Sequence, residues 1–380
     1  MEQLTVKTKS TSYTVHIGEE VYDLFATEYK DLLKNADKVG VFADETAAFY
    51  HFEKLENALK AVGIDFELHI LPPGEESKTP TSFMSCHSFL LQHNFTRQSV
   101  LIAFGGGACG DVTGFVAATF MRGIAFLQCP TTILAHDSAV GGKTAINMPE
   151  GKNMVGSFHQ PAGVLFQPDL FTTLPEREVR SGMAELIKHA MISDADWTES
   201  LLLNSDFPNF SAEALTTELL KGIRVKANIV EQDEFEQGIR KFLNFGHTLG
   251  HAVEAYFGFG KVSHGECVMI GMAYSFLLSE SYGDISPELT KRFIRFADVA
   301  GYPIQAILEV EFDALLHYLK KDKKVTSGDL VFVLLYNLGN PFTQKVSEKH
   351  CEEAYYELIA RIKEEVLYDS KRSKGSDNRK

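Results

Sequence analysis

The 380-residue chain lacks several features that would place it in a specialised class of protein. Its five cysteines are scattered, odd in number and never in a CxxC pair, which argues against a disulfide framework and a thiolate zinc site. No apolar run reaches the roughly 18 residues of a membrane span, and the first ten residues have no apolar signal-peptide region. Positive charge is scarce, because 37 Lys and Arg against 51 Asp and Glu give −14. We therefore expect a cytoplasmic protein that binds neither nucleic acid nor membranes.

What the chain does contain indicates two folded domains. Apolar, β-branched runs recur in the first half, separated by helix-like stretches such as Tyr50–Val62 and Ser82–His93. Such runs are typical of a parallel sheet covered on both faces. We predict an α/β, Rossmann-like N-terminal domain over residues 1–176, with strands at Val39–Asp44, Phe66–Leu71, Val100–Phe104 and Ala125–Cys129.

Beyond about Leu174 the 3.6-residue period of helices dominates. Leu330–Tyr336 is the one clear later strand. We predict a mainly α-helical C-terminal domain over residues 177–368 and a disordered polar tail over 369–380. The predicted helices are Glu176–Met191, Ser211–Glu231, Arg240–Ala255, Gly265–Leu278 and Glu348–Glu365.

A glycine-rich turn, GGGACGD, follows the predicted strand at residues 100–104. Gly105, Gly107 and Gly110 satisfy GxGxxG, and glycines at a strand-to-helix turn let backbone N–H groups approach a phosphate. The motif lies far from the first strand and lacks an acid about 20 residues later. A tight turn without a ligand is the alternative. We predict a nucleotide site here, but not the usual Rossmann one.

A set of polar side chains projects onto one face of a helix continued at 100° per residue from Glu236. Histidines and an asparagine are poor choices for a merely solvated face, because they cost helix propensity. The set shares one wedge of about 80° and comprises Glu236, Arg240, Asn244, His247, His251 and Glu254. Gly238 leaves the helix uncertain before Arg240.

Histidine and glutamate side chains in this region could hold a metal. His247 and His251 are four residues apart, His264 follows in SHGE, and Glu185 precedes in GMAELIKH. Such ligands without cysteine suit a catalytic zinc with three protein ligands and an open position. The spacing does not decide which histidines bind.

Basic residues recur inside glycine-rich or apolar motifs of this acidic chain. Cations in such settings favour a small substrate with several negative charges, although ordinary surface lysines are the alternative for some. They are Arg122, Lys143, Lys152, Lys188, Lys226 and the pair Lys323–Lys324.

Taken in order, the motifs resemble those of the 3-dehydroquinate synthase family, over residues 40 to 335. The motifs are GEESK, GGGACGD, RGIAFLQCPTTILAHDSAVGGKTAIN, GKNMVGSFHQP, TLPEREVRSGMAELIKH, DEFEQGIRKFLNFGHTLGHAVE, SHGE and DKK. The resemblance implies a two-domain homodimeric carbon–oxygen lyase that uses NAD and a divalent metal, zinc or cobalt. It would convert 3-deoxy-D-arabino-heptulosonate 7-phosphate to 3-dehydroquinate and phosphate, the second step of the shikimate pathway.

In that family NAD oxidises the C5 hydroxyl, phosphate is eliminated, C5 is reduced again and the opened ring closes by an aldol step. Two alternatives share the fold and the metal. One is another sugar-phosphate cyclase, such as 2-deoxy-scyllo-inosose synthase, and the other is a polyol dehydrogenase of the glycerol dehydrogenase type.

The resemblance also implies roles for individual residues. Glu185, His247 and His264 resemble the metal ligands, and Lys226 and Arg240 resemble a clamp for the substrate carboxylate. The other residues that resemble substrate contacts are Arg122, Lys152, Asn153, Lys323 and Lys324. Of these, Arg122 is a candidate to reach the neighbouring subunit's site. The catalytic set is Asp137, Lys143, Lys188, Glu236, Asn244 and His251. The NAD contacts are Asp44, Glu75, Lys78, Gly106, Gly107, Asp111, Thr131, Thr132, Lys143, Lys152, Phe171 and Thr173.

Overall fold

The computed structural model describes residues 1–204, 207–208, 210–258, 261–322 and 330–368. Two compact units divide inside one helix, between Val179 and Arg180. The first unit is Met1–Val179 with Ser211–Glu236, and the second is Arg180–Phe210 with Gln237–Lys380. The predicted tail 369–380 and the predicted contacts Lys323 and Lys324 lie outside the described residues.

The segment Ser211–Glu236 is where this division differs from the predicted domains, which assigned all of 177–368 to the second. Its helix packs against the first strand of the chain and against the short helix Ala135–Ser138. The packing face carries Ile223, Ala227 and Val230 at helical spacing. An amphipathic pattern predicts a buried face but not the element that covers it.

A seven-stranded sheet organises the first unit, in the order β1-β2-β9-β6-β5-β3-β4. All neighbours are parallel except β1 and β2, so the predicted parallel-sheet α/β domain is confirmed. The strands of the chain are β1 Glu2–Lys7, β2 Ser12–Ile17, β3 Val39–Asp44, β4 Glu67–Leu71, β5 Val100–Gly105, β6 Ala125–Pro130, β7 Lys143–Met148, β8 Gly151–Phe158, β9 Gly163–Phe166, β10 Leu330–Leu335 and β11 Pro341–Val346.

Both faces of this sheet are covered, because alternate side chains of a strand point to opposite sides. In β3 and β5, Val41 and Ile102 belong to one hydrophobic cluster, whereas Phe42 and Leu101 belong to the other. Burial on both faces explains why these strands have no polar alternation. The helices of the first unit are α1 Lys30–Lys34, α2 Glu45–Ala61, α3 Pro80–Gln92, α4 Gly107–Thr119, α5 Ala135–Ser138 and α8 Ala212–Gln232.

Helices dominate the second unit, which confirms the predicted helical C-terminal region. The strands β10 and β11 form an antiparallel hairpin there, of which the sequence predicted only the first strand. None of the described helices is long and apolar enough to cross a membrane. The remaining helices are α6 Glu176–Ser193, which contains the division, α7 Ala195–Leu202, α9 His247–Phe257, α10 His264–Tyr282, α11 Pro287–Val299, α12 Phe312–Asp322 and α13 Glu348–Ile362.

One predicted helix is wrong. The sequence predicted continuous helix over Arg240–Ala255, but the structure has a 3-10 helix over Ile239–Asn244 and begins α9 at His247. Gly246 separates the two in the left-handed conformation, at φ +78°. A Cβ atom there would lie 2.5 Å from Cγ of Met272, so glycine is required by packing that no local pattern reveals.

Candidate functional site

The glycine-rich turn joins β5 to α4, at the carboxyl edge of the parallel sheet. Gly106 is the N-cap of α4 and Gly107 its first residue. A Cβ atom on Gly107 would lie 2.6 Å from Oγ of Ser138, and one on Gly106 would lie 3.0 Å from Cγ2 of Thr132. The turn therefore presents backbone N–H groups and the start of a 13-residue helix, which favours an anion.

Asp44 ends the neighbouring strand β3 and connects two backbone segments. Its Oδ1 atom accepts hydrogen bonds from the N–H groups of Thr46 and Ala47, at 2.9 and 3.0 Å, and so caps α2. Its Oδ2 atom accepts from the N–H of Gly74 at 2.8 Å. Asp44 thus fixes the loop that leads to Glu75 and Lys78, both of which were predicted to contact NAD.

Lys78 is buried beside the glycine turn. Its ammonium donates to Oδ2 of Asp111 at 2.6 Å and to Oδ1 of Asn153 at 2.7 Å. Burial raises the pKa of the Asp111 carboxyl, and the charge of Lys78 offsets part of that rise. The structure therefore brings together two predicted NAD contacts and one predicted substrate contact.

Other predicted NAD contacts surround the same edge of the sheet. Lys152 Nζ lies 3.5 Å from Oε2 of Glu75, and the buried Thr131 donates its N–H to the Gly105 carbonyl at 2.9 Å. Phe171 and Thr173 belong to the 3-10 helix Pro168–Thr173, after β9.

Two further cations of the first unit each meet an acid from the predicted catalytic set. Lys143 Nζ donates a short hydrogen bond to Oε2 of Glu236. Lys226 is 6% exposed, and its Nζ lies 3.1 Å from Oδ2 of Asp137. Its observed partner, Asp137, is itself a predicted site residue.

Unusual backbone conformations occur at several predicted substrate contacts. Among the described residues, five residues other than glycine have positive φ, and three of them were predicted as site residues: Arg122 at +70°, Asn153 at +57° and Glu236 at +58°. Asparagine tolerates this conformation, but arginine and glutamate rarely adopt it. Such strain persists only where the surroundings impose it, and it concentrates at functional sites.

The second unit contains a cluster of donors that could bind a metal. Oε1 of Glu185, in α6, lies 3.4 Å from Nε2 of His247, the first residue of α9. The same oxygen lies 3.4 Å from Nε2 of His264, the first residue of α10. Within the described part of the chain, Oε1 is buried and meets no donor in hydrogen-bond geometry. Three potential ligands thus converge from three helices.

The hydrogen bonds of Nδ1 in His247 and His264 determine that Nε2 of each ring faces this cluster. Nδ1 of His247 lies 3.1 Å from the Phe245 carbonyl, which fixes it as a donor. Nδ1 of His264 lies 3.4 Å from Oε2 of Glu254. Both rings therefore direct Nε2 toward Glu185, the arrangement in which neighbouring acceptors orient metal-binding histidines.

The charges of the cluster are strongly perturbed. Burial raises the pKa of the Glu185 carboxyl, but Lys188 and the two histidines outweigh it and hold that pKa well below its ordinary value. Burial lowers the pKa of His247 to about 4. Burial also lowers the pKa of His264, but the neighbouring carboxylates of Glu185 and Glu254 raise it to about 10. A metal would therefore displace a proton from His264.

His251 lies beside this cluster, one helical turn after His247. Its ring centre is 5.3 Å from that of His247 and 5.8 Å from that of His264, and the three rings place donor atoms within 4.8 Å of one another. The geometry alone thus allows His251 as a ligand or as a neighbour.

The predicted polar wedge holds only within α9, where His247, His251 and Glu254 share a helix face. It is wrong for Glu236, Arg240 and Asn244, because the glycine-containing segment before α9 is not α-helical. Arg240 is fully buried in the second unit, whereas Glu236 belongs to the first unit.

Comparison with known proteins decides the family. The sequence profile of the 3-dehydroquinate synthase N-terminal domain matches residues 68–181, and that of the C-terminal domain matches residues 182–325. The chain belongs to the 3-dehydroquinate synthase family. A 3-dehydroquinate synthase of Lysinibacillus sphaericus is 51% identical over 364 residues, covering 95% of this chain and 99% of the relative. Another, from Listeria monocytogenes serotype 4b, is 44% identical over 360 residues, covering 94% and 98%.

Solved structures support the same fold. A crystal structure of 2-deoxy-scyllo-inosose synthase, complexed with carbaglucose-6-phosphate, NAD+ and Co2+, has a TM-score of 0.83 to this chain. It is 25% identical and covers 94% of this chain and all of that one. This family member is thus much closer in sequence to 3-dehydroquinate synthases than to that cyclase.

Two residues contact the candidate site of this 3-dehydroquinate synthase family member but were not predicted as site residues. Glu254 was included in the predicted polar wedge, seven residues after His247, but received no role in the site. His51 had no local signal: its Nε2 lies 2.6 Å from Oγ1 of Thr173, far along the chain.

Proposed function

We propose that this protein is a 3-dehydroquinate synthase, which converts 3-deoxy-D-arabino-heptulosonate 7-phosphate to 3-dehydroquinate and phosphate. The observation that carries the proposal is the convergence of Glu185, His247 and His264 in a chain that belongs to this family. A polyol dehydrogenase could use the same donors, but it would not explain the many cations that the first unit carries.

The donor set of the second unit fits a divalent metal. Donors bound to one tetrahedral ion at 2.0–2.2 Å lie about 3.3–3.6 Å apart, and both histidine nitrogens lie 3.4 Å from Oε1 of Glu185. Nitrogen and carboxylate donors without a thiolate suit zinc or cobalt. We assign Glu185, His247 and His264 as the ligands, and His251 as a neighbour that contacts the substrate.

The glycine turn of the first unit fits the pyrophosphate of NAD. Gly106 and Gly107 have no side chains at the turn where the anion would approach the backbone. A Cβ atom on either residue would also meet a neighbouring side chain at 3.0 Å or less. Bound NAD would supply a reversible hydride acceptor, and a bound metal would lower the pKa of a substrate hydroxyl. The need for both NAD and a metal accounts for the two sets of residues, one at the glycine turn and one around Glu185.

The protein's own cations hold the substrate's negative groups. Lys152, Asn153 and Arg122 are assigned to the phosphate, and Lys226 and Arg240 to the carboxylate. Lys143 and Glu236 form an ion pair. Lys143 is assigned to bridge the cofactor and the substrate, and Glu236 to the reacting hydroxyls. The remaining assigned contacts are Asp137, Lys188 and Asn244 around the hydroxyls, and Asp44, Glu75, Lys78, Asp111, Thr131, Thr132, Phe171 and Thr173 around NAD.

We further infer that the enzyme acts in the cytoplasm as a homodimer. The cysteines support the cytoplasmic location, because all five are free and buried, as in proteins of reducing compartments. Light scattering on the purified chain would measure its mass, and a monomer at working concentration would contradict the dimer.

The decisive experiment measures phosphate release from 3-deoxy-D-arabino-heptulosonate 7-phosphate with a catalytic amount of NAD, with and without a chelator. We expect several turnovers per NAD, no lasting absorbance of NADH, and loss of activity in chelator that zinc or cobalt restores. Accumulation of NADH in step with substrate would instead indicate a dehydrogenase. Phosphate release from glucose 6-phosphate would indicate the other cyclase.

A further inference from the structure

The segment that follows α8 carries a buried acid with no assigned role. Glu234 is 2% exposed, and it comes two residues before Glu236, which has the strained φ of +58°. A buried carboxylate is costly unless hydrogen bonds satisfy it. Its partners therefore show what it holds in place.

The first partner is the turn between β1 and β2, 224 residues earlier in the chain. The N–H of Ser10 donates to Oε2 of Glu234 at 3.1 Å, and the Ser10 hydroxyl donates to Oε1. Burial raises the pKa of Glu234, but the hydrogen bonds from Ser10 and Gln160 lower it below its ordinary value. The ionised carboxylate is thus the form that ties the N-terminal hairpin to the segment before Glu236.

The second partner leads to Lys143. Nε2 of Gln160 donates to Oε1 of Glu234 at 3.0 Å. The amide of Gln160 covers Gly142, because a Cβ atom there would lie 2.6 Å from Cδ of Gln160. Gly142 has φ +66° and immediately precedes Lys143, so Gln160 restrains the backbone from which the Lys143 side chain extends.

The Glu234 carboxylate is thus linked to both members of the Lys143–Glu236 ion pair. It lies two residues before Glu236, and its partner Gln160 covers Gly142, next to Lys143. A ring contact supports the same alignment: Phe235, between the two glutamates, packs edge-to-face on Phe158 with ring centres 5.3 Å apart. Phe158 is the register partner of Lys143 across the β7–β8 hairpin. Glu234 and Phe235 thus both restrain the chain that leads into the strained backbone at Glu236.

We propose that Glu234 is a positioning residue, which holds Lys143 and Glu236 in register through Ser10 and Gln160. This rests on the proposed function, because Lys143 and Glu236 are assigned there as substrate-side groups. The simpler alternative is that Glu234 only anchors the N-terminal hairpin and contributes stability.

The chain offers a matched control for that alternative. Glu231, near the end of α8, accepts a hydrogen bond from the Lys7 N–H at 3.0 Å. This bond anchors the same hairpin to α8 itself, not to the segment after it, and involves neither Gln160 nor Lys143. Glu231→Ala should therefore change stability without changing the rate of the reaction.

The experiment compares Glu234→Ala, Ser10→Ala, Ser10→Thr and Glu231→Ala in the full-length enzyme loaded with metal. We expect Glu234→Ala to lower kcat about 10- to 100-fold, with NAD and metal affinity unchanged. Ser10→Ala should lower kcat less, because the backbone N–H remains, and Ser10→Thr should restore it. Glu231→Ala should keep the kcat of the wild type.

A second readout does not depend on the reaction. Amide hydrogen exchange should accelerate in residues 143–148 and 233–236 of Glu234→Ala and Ser10→Ala, but not of Glu231→Ala. Unchanged kcat and exchange in Glu234→Ala, or an equal loss of kcat in Glu231→Ala, would overturn the proposal. If Glu234→Ala does not fold, the Ser10→Ala and Ser10→Thr pair decides by the same criteria. Inactive wild-type enzyme would refute the proposed function, while exchange would still test the network.

Discussion

The Nδ1 atom of His264 lies 3.4 Å from Oε2 of Glu254, a carboxylate that is itself buried in α9. This contact turns the other ring nitrogen toward Glu185 and raises the pKa of the imidazole. Acceptors behind a metal-binding histidine typically contribute 10- to 100-fold in metal affinity. We therefore expect Glu254 to strengthen metal binding through His264.

We predict that Glu254→Gln weakens zinc binding about 10- to 100-fold, while the metal-free protein keeps its thermal midpoint within a few degrees. The amide oxygen can still accept from His264, but the negative charge that strengthens the ligand is gone. Competition with a chromogenic chelator would measure the affinity. Equal affinities in variant and wild type would show that Glu254 does not act on the site.

The assignment of ligands leads to a prediction that separates His251 from His247. His264→Ala and His247→Ala should each abolish tight metal binding and activity, whereas His251→Ala should lower activity and keep the metal. Metal content after dialysis, measured by atomic emission, gives the answer. If His251→Ala loses as much metal as His247→Ala, then His251 is a ligand and the assignment is wrong.

The glycine turn allows a test that distinguishes packing from cofactor binding. A Cβ atom on Gly107 would lie 2.6 Å from Oγ of Ser138, so Gly107→Ala should cost about 1–3 kcal/mol in the free energy of unfolding. That hydroxyl is buried and has no hydrogen-bond partner among the described residues. Ser138→Ala alone should therefore be nearly neutral.

In the double variant Gly107→Ala/Ser138→Ala, we expect stability to recover in part while NAD affinity stays low. The reason is that the methyl group still obstructs the approach of the pyrophosphate to the backbone. Denaturant unfolding and NAD titration by fluorescence measure the two effects separately. Recovery of NAD affinity together with stability would mean that Gly107 serves packing alone.

Secondary structure could be predicted from the sequence where an element is buried on all sides. It was harder to predict where it depends on contacts between residues far apart in the chain. Strands such as β3 and β5 were predicted because both of their faces are buried, which produces unbroken apolar runs. β8 was missed because most of its residues are exposed, Met154 at 78% among them, so no apolar pattern marks it.

The same contrast holds for the candidate site. His247 and His251 were recognisable from their i,i+4 spacing within α9, because that relation is local. The break before α9 was not predicted, because the contact that requires glycine at position 246 is with Met272 of α10, which is distant in the chain. Likewise, the role of Ser10 beside Glu234 depends on a pairing 224 residues apart.

The carboxylate of the substrate is what separates a 3-dehydroquinate synthase from a cyclase that acts on glucose 6-phosphate. Lys226 is nearly buried in α8 beside Asp137, and Arg240 is fully buried in the second unit. Cations in such positions are held for a purpose other than solubility, because removing a charge from water is costly. We assign both to the carboxylate, with arginine offering a planar pair of donors and lysine a point charge.

We predict that Lys226→Met and Arg240→Met each lower kcat/KM for the heptulosonate phosphate about 30-fold or more, without changing NAD or metal affinity. Leaving a desolvated carboxylate without its partner costs on the order of 2–5 kcal/mol, and each 1.4 kcal/mol corresponds to about tenfold. Lys221→Met is the matched control, because Lys221 lies on the same helix but is 45% exposed and contacts Glu218 at 2.7 Å. It should keep wild-type kinetics. Steady-state phosphate release is measured with the heptulosonate phosphate and with glucose 6-phosphate. Efficient turnover of glucose 6-phosphate by the wild type, or near-normal kinetics in both methionine variants, would refute the carboxylate assignment. Neither cation would then be needed to hold the carboxylate, which only the heptulosonate phosphate carries.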